Sequence, residues 1–206
     1  MSPRWPLCLL VPVLAVIVWS GVAPFDRLTW LLELAPGFAG LGLMAWTWRR
    51  FPLTPLVASL IAIHIIILAI GGHYTYALVP AGNWVRDWLG LTRNHYVRLG
   101  HLAQGFVPAM IARELFIRHN VIAKRAWMPF LIVCVCLAIS ATYELFEWGT
   151  ALILGQASDA FLGTQGDVWD TQTDMFLAGV GAVSALILLP RWHDRQLPSA
   201  IAAPLG

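Results

Sequence analysis

The sequence predicts an all-α membrane protein, a polytopic bundle of six transmembrane helices with both termini in the cytoplasm, and three observations predict it. Of its 206 residues, 59% are hydrophobic and 12% charged, about half the charged share of a soluble domain. The apolar residues arrive in blocks long enough to cross a bilayer instead of alternating with polar ones. The Lys and Arg residues fall unequally between the loops that join those blocks. No internal repeat, long linker or low-complexity run divides the chain, so residues 1–206 are expected to form a single bundle domain.

The blocks cover residues 6–22, 28–48, 53–72, 95–117, 128–154 and 171–189, each near or above the roughly 20 residues that a spanning helix needs. The first follows Arg4 and ends in Gly21-Val22-Ala23, a sequence like a signal-peptide cleavage site. Pro24 follows directly, and proline there removes the amide N–H and stiffens the backbone. The first block is therefore read as an uncleaved helix, kinked at Pro12. Gly37, Gly40, Gly42, Gly179 and Gly181 offer small surfaces for close helix packing. Cys8, Cys134 and Cys136 all lie inside apolar blocks, which marks them as packing residues and not as a disulfide framework or a zinc site.

Orientation follows from the positive-inside rule. With both termini inside, Arg4, Arg49, Arg50, Arg113, Arg118, Lys124, Arg125, Arg191 and Arg195 are cytoplasmic, nine of the 13 Lys and Arg residues. Arg27, Arg86, Arg93 and Arg98 lie outside, and the outer 155–170 loop has aspartates but no Lys or Arg. A net charge of +2 and the absence of a basic stripe with interleaved aromatics exclude nucleic acid as a partner and leave the lipid bilayer.

Ionisable residues inside a membrane are costly, so those within the blocks point to a site. His95, Arg98, His101 and Gln104 recur every third residue in the fourth block. The fifth carries Tyr143, Glu144, Glu147 and Trp148, and Asp167, Asp170 and Asp174 open the sixth. A rise of about 1.5 Å per residue converts numbering into depth. From the outer boundary, His101 lies roughly 9 Å down, Glu144 roughly 6 Å, Glu147 roughly 2 Å, and Asp174 roughly 6 Å below Asp170. Three helices thus offer carboxylates and imidazoles at one depth, a set suited to a divalent metal, to proton movement or to a polar lipid headgroup.

Structural roles compete with these. Asp167 and Asp170 stand where a helix begins and can cap it. Arg98 can neutralise Glu144 or Glu147 as a structural ion pair. His64, alone in the third block, reads as a hydrogen-bonded packing residue, and Glu114 with Arg118 reads as a solvated i, i+4 pair. Trp5, Trp30, Trp48, Trp84, Trp88, Trp127 and Trp192 lie near block ends, where aromatic belts form, while Trp148 and Trp169 sit beside the acidic cluster. No P-loop, dinucleotide-binding glycine motif, catalytic-serine motif or HExxH pattern is present.

Several motifs resemble the YjdF-like family of bacterial inner-membrane proteins over nearly the whole chain. They are Gly71-Gly72-His73-Tyr74-Thr75-Tyr76, Arg93-Asn94-His95-Tyr96 leading to Arg98-Leu99-Gly100-His101 and Gln104-Gly105, and Tyr143-Glu144 with Glu147-Trp148. Gly163-Thr164-Gln165-Gly166-Asp167 follows, then Trp169-Asp170-Thr171-Gln172 and Asp174-Met175. Val97 stands where the family pattern often has aspartate, and Thr173 where it often has tryptophan, so no acid acts at position 97 here. The resemblance implies an inner-membrane helical bundle and carries over no reaction, substrate or catalytic residue. The order of the polar helices is also similar to that of VanZ-like membrane proteins, an analogy that directs attention to the cell envelope.

The expected function is action on a lipid or lipid-linked envelope molecule at a polar site near the outer face, with a divalent metal as cofactor. His101, Glu144 and Glu147 are the expected catalytic residues, and His101, Glu144, Glu147, Asp167, Asp170 and Asp174 the expected metal ligands. Substrate contacts are assigned to His73, Tyr74, Arg93, His95, Arg98, Gln104, Tyr143 and Trp148. The alternatives are ion- or proton-coupled transport or binding, and a bundle whose polar residues serve packing alone.

Overall fold

The computed structural model describes residues 5–155 and 159–201; Arg4, part of the 155–170 loop and the last residues of the chain lie outside the described residues. The described residues form helices joined by short turns, with no strand among them. Each expected block coincides with a helix: α1 (Trp5–Gly21), α2 (Arg27–Thr47), α3 (Pro55–Tyr74), α5 (Tyr96–Arg118), α6 (Met128–Leu154) and α8 (Asp170–Leu188). Three further helices, α4 (Pro80–Leu89), α7 (Asp159–Leu162) and α9 (Pro190–Ile201), fall outside the blocks because they are too short or too polar to register as apolar runs.

Four of these helices are long and apolar enough to cross a membrane: α2, α3, α6 with its leading 3₁₀ turn at Arg125–Trp127, and α8. α1 is a shorter apolar helix. α5 has 23 residues, but Arg98, Arg113, Glu114 and Arg118 make it more polar than its neighbours. It packs against α3, α6 and α8.

Local chemistry sets the helix ends. Asp26 caps α2 by accepting the Thr29 amide at 2.7 Å. Thr54 caps α3 with Pro55 at its first turn, and Pro80 and Gly90 bracket α4. No α4 residue is buried, and Trp84 and Trp88 are among its exposed side chains, the pattern of a helix lying along an interface.

Two glycines bring α5 and α8 together backbone to backbone. A Cβ on Gly105 would collide with the Ala178 carbonyl, and one on Gly181 with the Leu102 carbonyl. Only the second was visible as a small-residue surface in the sequence. Apolar side chains gain little from leaving lipid for another apolar surface, so such shape-determined contact is what holds membrane helices together.

At the end of the bundle that carries the 119–125 turn, Glu114 is fully buried. Its carboxylate accepts from the Thr54 amide (3.0 Å), the Thr54 hydroxyl (2.7 Å), Arg118 (2.9 Å) and His193 Nε2 (3.1 Å). Arg113 donates to His193 Nδ1 at 2.8 Å, which leaves the Nε2 proton for Glu114. This corrects the expectation of a solvated i, i+4 pair: the carboxylate fastens α5 to the α3 N-terminus and to α9. Glu114→Gln should therefore destabilise the protein by about 3 kcal/mol, as breaking a buried charged network does. A thermal midpoint in detergent unchanged from that of the unmodified protein would restore the solvated reading.

Candidate functional site

The opposite end of the bundle is arranged around Asn94, which is fully buried just before α5. Its side-chain amide donates to the Val79 carbonyl (3.0 Å) and to Asn83 (2.9 Å), and its carbonyl accepts the Tyr96 amide (3.0 Å). Gln165 closes a reciprocal pair with the Asn94 backbone at 3.1 and 2.9 Å. Gly82 leaves room for this, since a Cβ there would strike the Asn94 side chain. α4, the start of α5 and the 163–167 turn are thereby fixed to one another.

That turn presents Asp167 to two arginines, Arg93 at 3.0 Å and Arg98 at 3.0 Å. Arg93 also lies 2.8 Å from Asp170, a close charge contact without hydrogen-bond alignment at that oxygen. Arg98 thus pairs with Asp167, in place of the Glu144 or Glu147 pairing considered from the sequence. Asp167 precedes α8 and accepts the Trp169 amide at 3.0 Å, a local turn before the helix; the N-cap is Trp169 and no side chain caps α8, so the capping role expected for Asp167 is not the one it plays. The Trp169 amide, aided by the Arg93 and Arg98 guanidiniums and opposed by desolvation, holds the Asp167 carboxyl below the usual carboxylate range. His95 ends the turn before α5 with its Nδ1 buried and without a hydrogen bond.

Deeper in the bundle, His101 of α5 meets Glu144 of α6 and Asp174 of α8. One ligating atom of each lies within 4.8 Å of the others, and all three residues are buried. His101 Nδ1 is 2.9 Å from the Gln104 carbonyl oxygen and 3.8 Å from Glu144 Oε1, while Nε2 is 3.5 Å from Asp174 Oδ2. With Gln104 accepting, Nδ1 carries the proton, and the bare Nε2 faces a carboxylate beyond hydrogen-bond distance. Two acceptors opposed in this way could hold a cation or an added proton between them. Glu144 Oε1 and Asp174 Oδ1 are buried without hydrogen-bond partners, so the trio retains acceptor capacity that the protein leaves unused.

Beside the trio runs a cavity of about 1270 Å³. His101, Gln104, Tyr143, Glu147, His64 and Glu33 line it together with many apolar side chains. Glu33 of α2 is buried and accepts from the Tyr143 hydroxyl at 3.2 Å, with Tyr76 beside it. The Tyr76 ring reaches it by lying against Gly71 and Gly100, where a Cβ would overlap the ring or press within 3.1 Å.

The expected site residues therefore divide. His101, Glu144 and Asp174 converge, with Gln104, Tyr143 and Glu147 on the adjoining wall. Arg93, Arg98, Asp167 and Asp170 form the ion-paired layer above, and Asp167 and Asp170 are not in the three-residue ligand group. Trp148 is exposed and does not line the cavity. His73 and Tyr74 stand apart, where His73 Nδ1 donates to the Ser20 carbonyl at 2.9 Å and its ring stacks on Trp19. Glu33, Tyr76, Asn94 and Gln165 were missed. Glu33 had a signal, being a lone carboxylate in an apolar block.

The fold and the buried polar trio define a multi-pass membrane protein with a polar site inside its helix bundle. The chain belongs to the family described as "Predicted membrane protein (DUF2238)", which it matches over residues 5–195. It is 53% identical over 182 residues to the "Inner membrane protein YjdF" of Escherichia coli (strain K12), covering 88% of this chain and 87% of that protein. No solved structure matches it. The location is the bacterial inner membrane, as the resemblance in its motifs implied.

The geometry at Asp167 gives a pH expectation. A depressed carboxyl adds stability that is present above the usual carboxylate range and lost as pH falls through its own lowered value. Amide exchange in residues 163–169 should accelerate only below that range, and Asp167→Asn should show fast exchange at every pH. Acceleration already at neutral to weakly acidic pH would contradict the pairing.

Proposed function

We propose that the protein holds a divalent cation between His101, Glu144 and Asp174 and acts there on a lipid or lipid-linked envelope molecule. The observation that carries this reading is the buried trio itself, three ligating groups from three helices with unused carboxylate oxygens, of which His101 also lines a cavity with apolar walls. One nitrogen and several oxygens suit zinc, manganese or iron. A bound cation would polarise an oxygen of the substrate head. Glu147 on the cavity wall would exchange a proton with that head, Gln104 would hold the His101 tautomer, and Tyr143 would contact the head. Arg93 and Arg98 would keep Asp167 and Asp170 neutralised above the site.

Proton-coupled transport is the competing reading, favoured by the carboxylates of Glu33, Glu147, Glu144 and Asp174 at the same end of the bundle. Metal analysis separates the two. The purified protein should contain about one equivalent of metal per chain, with His101→Ala and Asp174→Asn losing most of it and Glu147→Gln keeping it, a loss of one ligand weakening binding about tenfold or more. Metal-free unmodified protein that conducts protons in vesicles would replace this proposal with the transport reading.

We also propose that the chain is one bundle domain in which α1, α2, α3, α5, α6 and α8 all cross the membrane, with both termini and the 119–125 turn in the cytoplasm. The basic bias supports this orientation, as does the position of α1 and α5 beside the four apolar spans. In a cysteine-free background, Asp87→Cys should react with an impermeant thiol reagent in intact cells and Lys124→Cys only after lysis. The reverse pattern would invert the orientation.

A further inference from the structure

The cavity beside His101 is a groove along α2. Its α2 wall extends from Glu33 to Thr47, a helical rise of about 21 Å. That exceeds half the hydrocarbon thickness of a bilayer, about 15 Å. Leu43 on α2 and Ile139 and Phe146 on α6 line the groove and are also 57%, 42% and 46% exposed. The groove therefore opens sideways between α2 and α6, toward the surface that a spanning bundle turns to lipid. Its other wall belongs to α3 and α5, and Phe161 of α7 closes the end near Tyr143, packing edge-on to that ring at 6.4 Å.

The two ends of the groove differ. Glu33, Tyr143, Glu147 and His101 gather at one end. Among the described lining residues Arg50 carries the only guanidinium or ammonium group, and it lies at the far end beside Phe51 and His119. An amphiphile is thereby oriented, with its tail along the apolar length and its head at the carboxylates. A head that donates a hydrogen bond fits these acceptors, whereas an anionic head would meet like charge.

We infer that the groove holds a hydrocarbon tail of a hydroxyl-headed lipid that enters between α2 and α6, and that Gly40 sets the length of tail admitted. The placement of the head at His101 rests on the proposed function, while the tail groove stands on its own geometry. A tail gains little by exchanging one apolar environment for another, so its selection depends on shape. Gly40 lines the groove, and a Cβ there would meet nothing within 4 Å. A large side chain at this position would project into the groove about 10 Å beyond Glu33 without disturbing α2. Gly149 also has open space around its Cβ but does not line the groove, which makes it a matched control.

The test uses the full chain in nanodiscs with two photoreactive fatty alcohols, one about 20 Å long and one about 10 Å long when extended, matching the helical distances above. The unmodified protein should be labelled by both, with peptides of α2 and α6 carrying the adducts. Gly40→Trp should lose the long probe by roughly tenfold or more, as overpacking of a filled cavity does, and keep the short one. Gly40→Leu should fall between, and Gly149→Trp should keep both. Long-probe labelling of Gly40→Trp at the unmodified level would overturn the inference, as would equal loss in Gly149→Trp or loss of both probes together. Metal content is measured on the same samples: intact length selection in a protein that binds no metal would remove the cation reading and leave the tail groove standing.

Discussion

The contact between α5 and α8 governs this structure. Gly105 and Gly181 let the two backbones meet at the Ala178 and Leu102 carbonyls, a separation that no side-chain-mediated crossing reaches. The consequence appears one turn away, where His101 and Asp174 leave the two helices close enough to share one small ligand. α6 then needs only to lay Glu144 against the pair. Were α5 and α8 held apart by ordinary side chains, the imidazole and the carboxylate would face each other across a gap too wide for an ion.

Two buried polar systems occupy opposite ends of α5, and they are built on opposite principles. Around Glu114 every acceptor finds a donor, from Thr54, Arg118 and His193, and the result is a fastening. Around His101 the acceptors outnumber the donors, and carboxylate oxygens on Glu144 and Asp174 remain unpaired. Leaving buried acceptors unmatched is expensive, and a bundle able to saturate one such cluster has the means to saturate the other. The contrast locates the site more firmly than the presence of charge, since both clusters are charged. The Arg93 and Arg98 layer has yet another character, paired through Asp167 and held in place by the Asn94 and Gln165 turn.

Much of this was legible in the chain because membrane helices obey a strict geometry. Block lengths placed the six long helices to within a few residues, and the fixed rise per residue alone put His101, Glu144 and Asp174 at one depth. Azimuth was not legible. Glu144 and Glu147 share a helix face by spacing, yet Glu144 joins the trio while Glu147 lines the cavity. Long-range partners were equally hidden: Glu114 looked solvated because its local neighbour Arg118 explained it, whereas its decisive partners, Thr54 and His193, are 60 and 79 residues away. Arg98 misled for the same reason, its partner being in a loop and not in the nearest acidic helix. Glu33 was hidden because a single carboxylate in an apolar block shows no periodic partner on its own helix.

The seat of Tyr76 has a consequence for how this family can drift. The ring occupies the volume that a side chain would need at Gly71, crowds the one it would need at Gly100, and lies beside Glu33. A side chain at Gly71 evicts the ring, one at Gly100 presses it aside by a few tenths of an ångström, and a smaller residue at 76 opens a void against two bare helix faces. Residues 71 and 76 are thus tied to one another across a helix and a turn, with residue 100 restricted to small side chains. A relative with a side chain at position 71 must seat a different residue at 76, and that changes the surroundings of its residue at position 33.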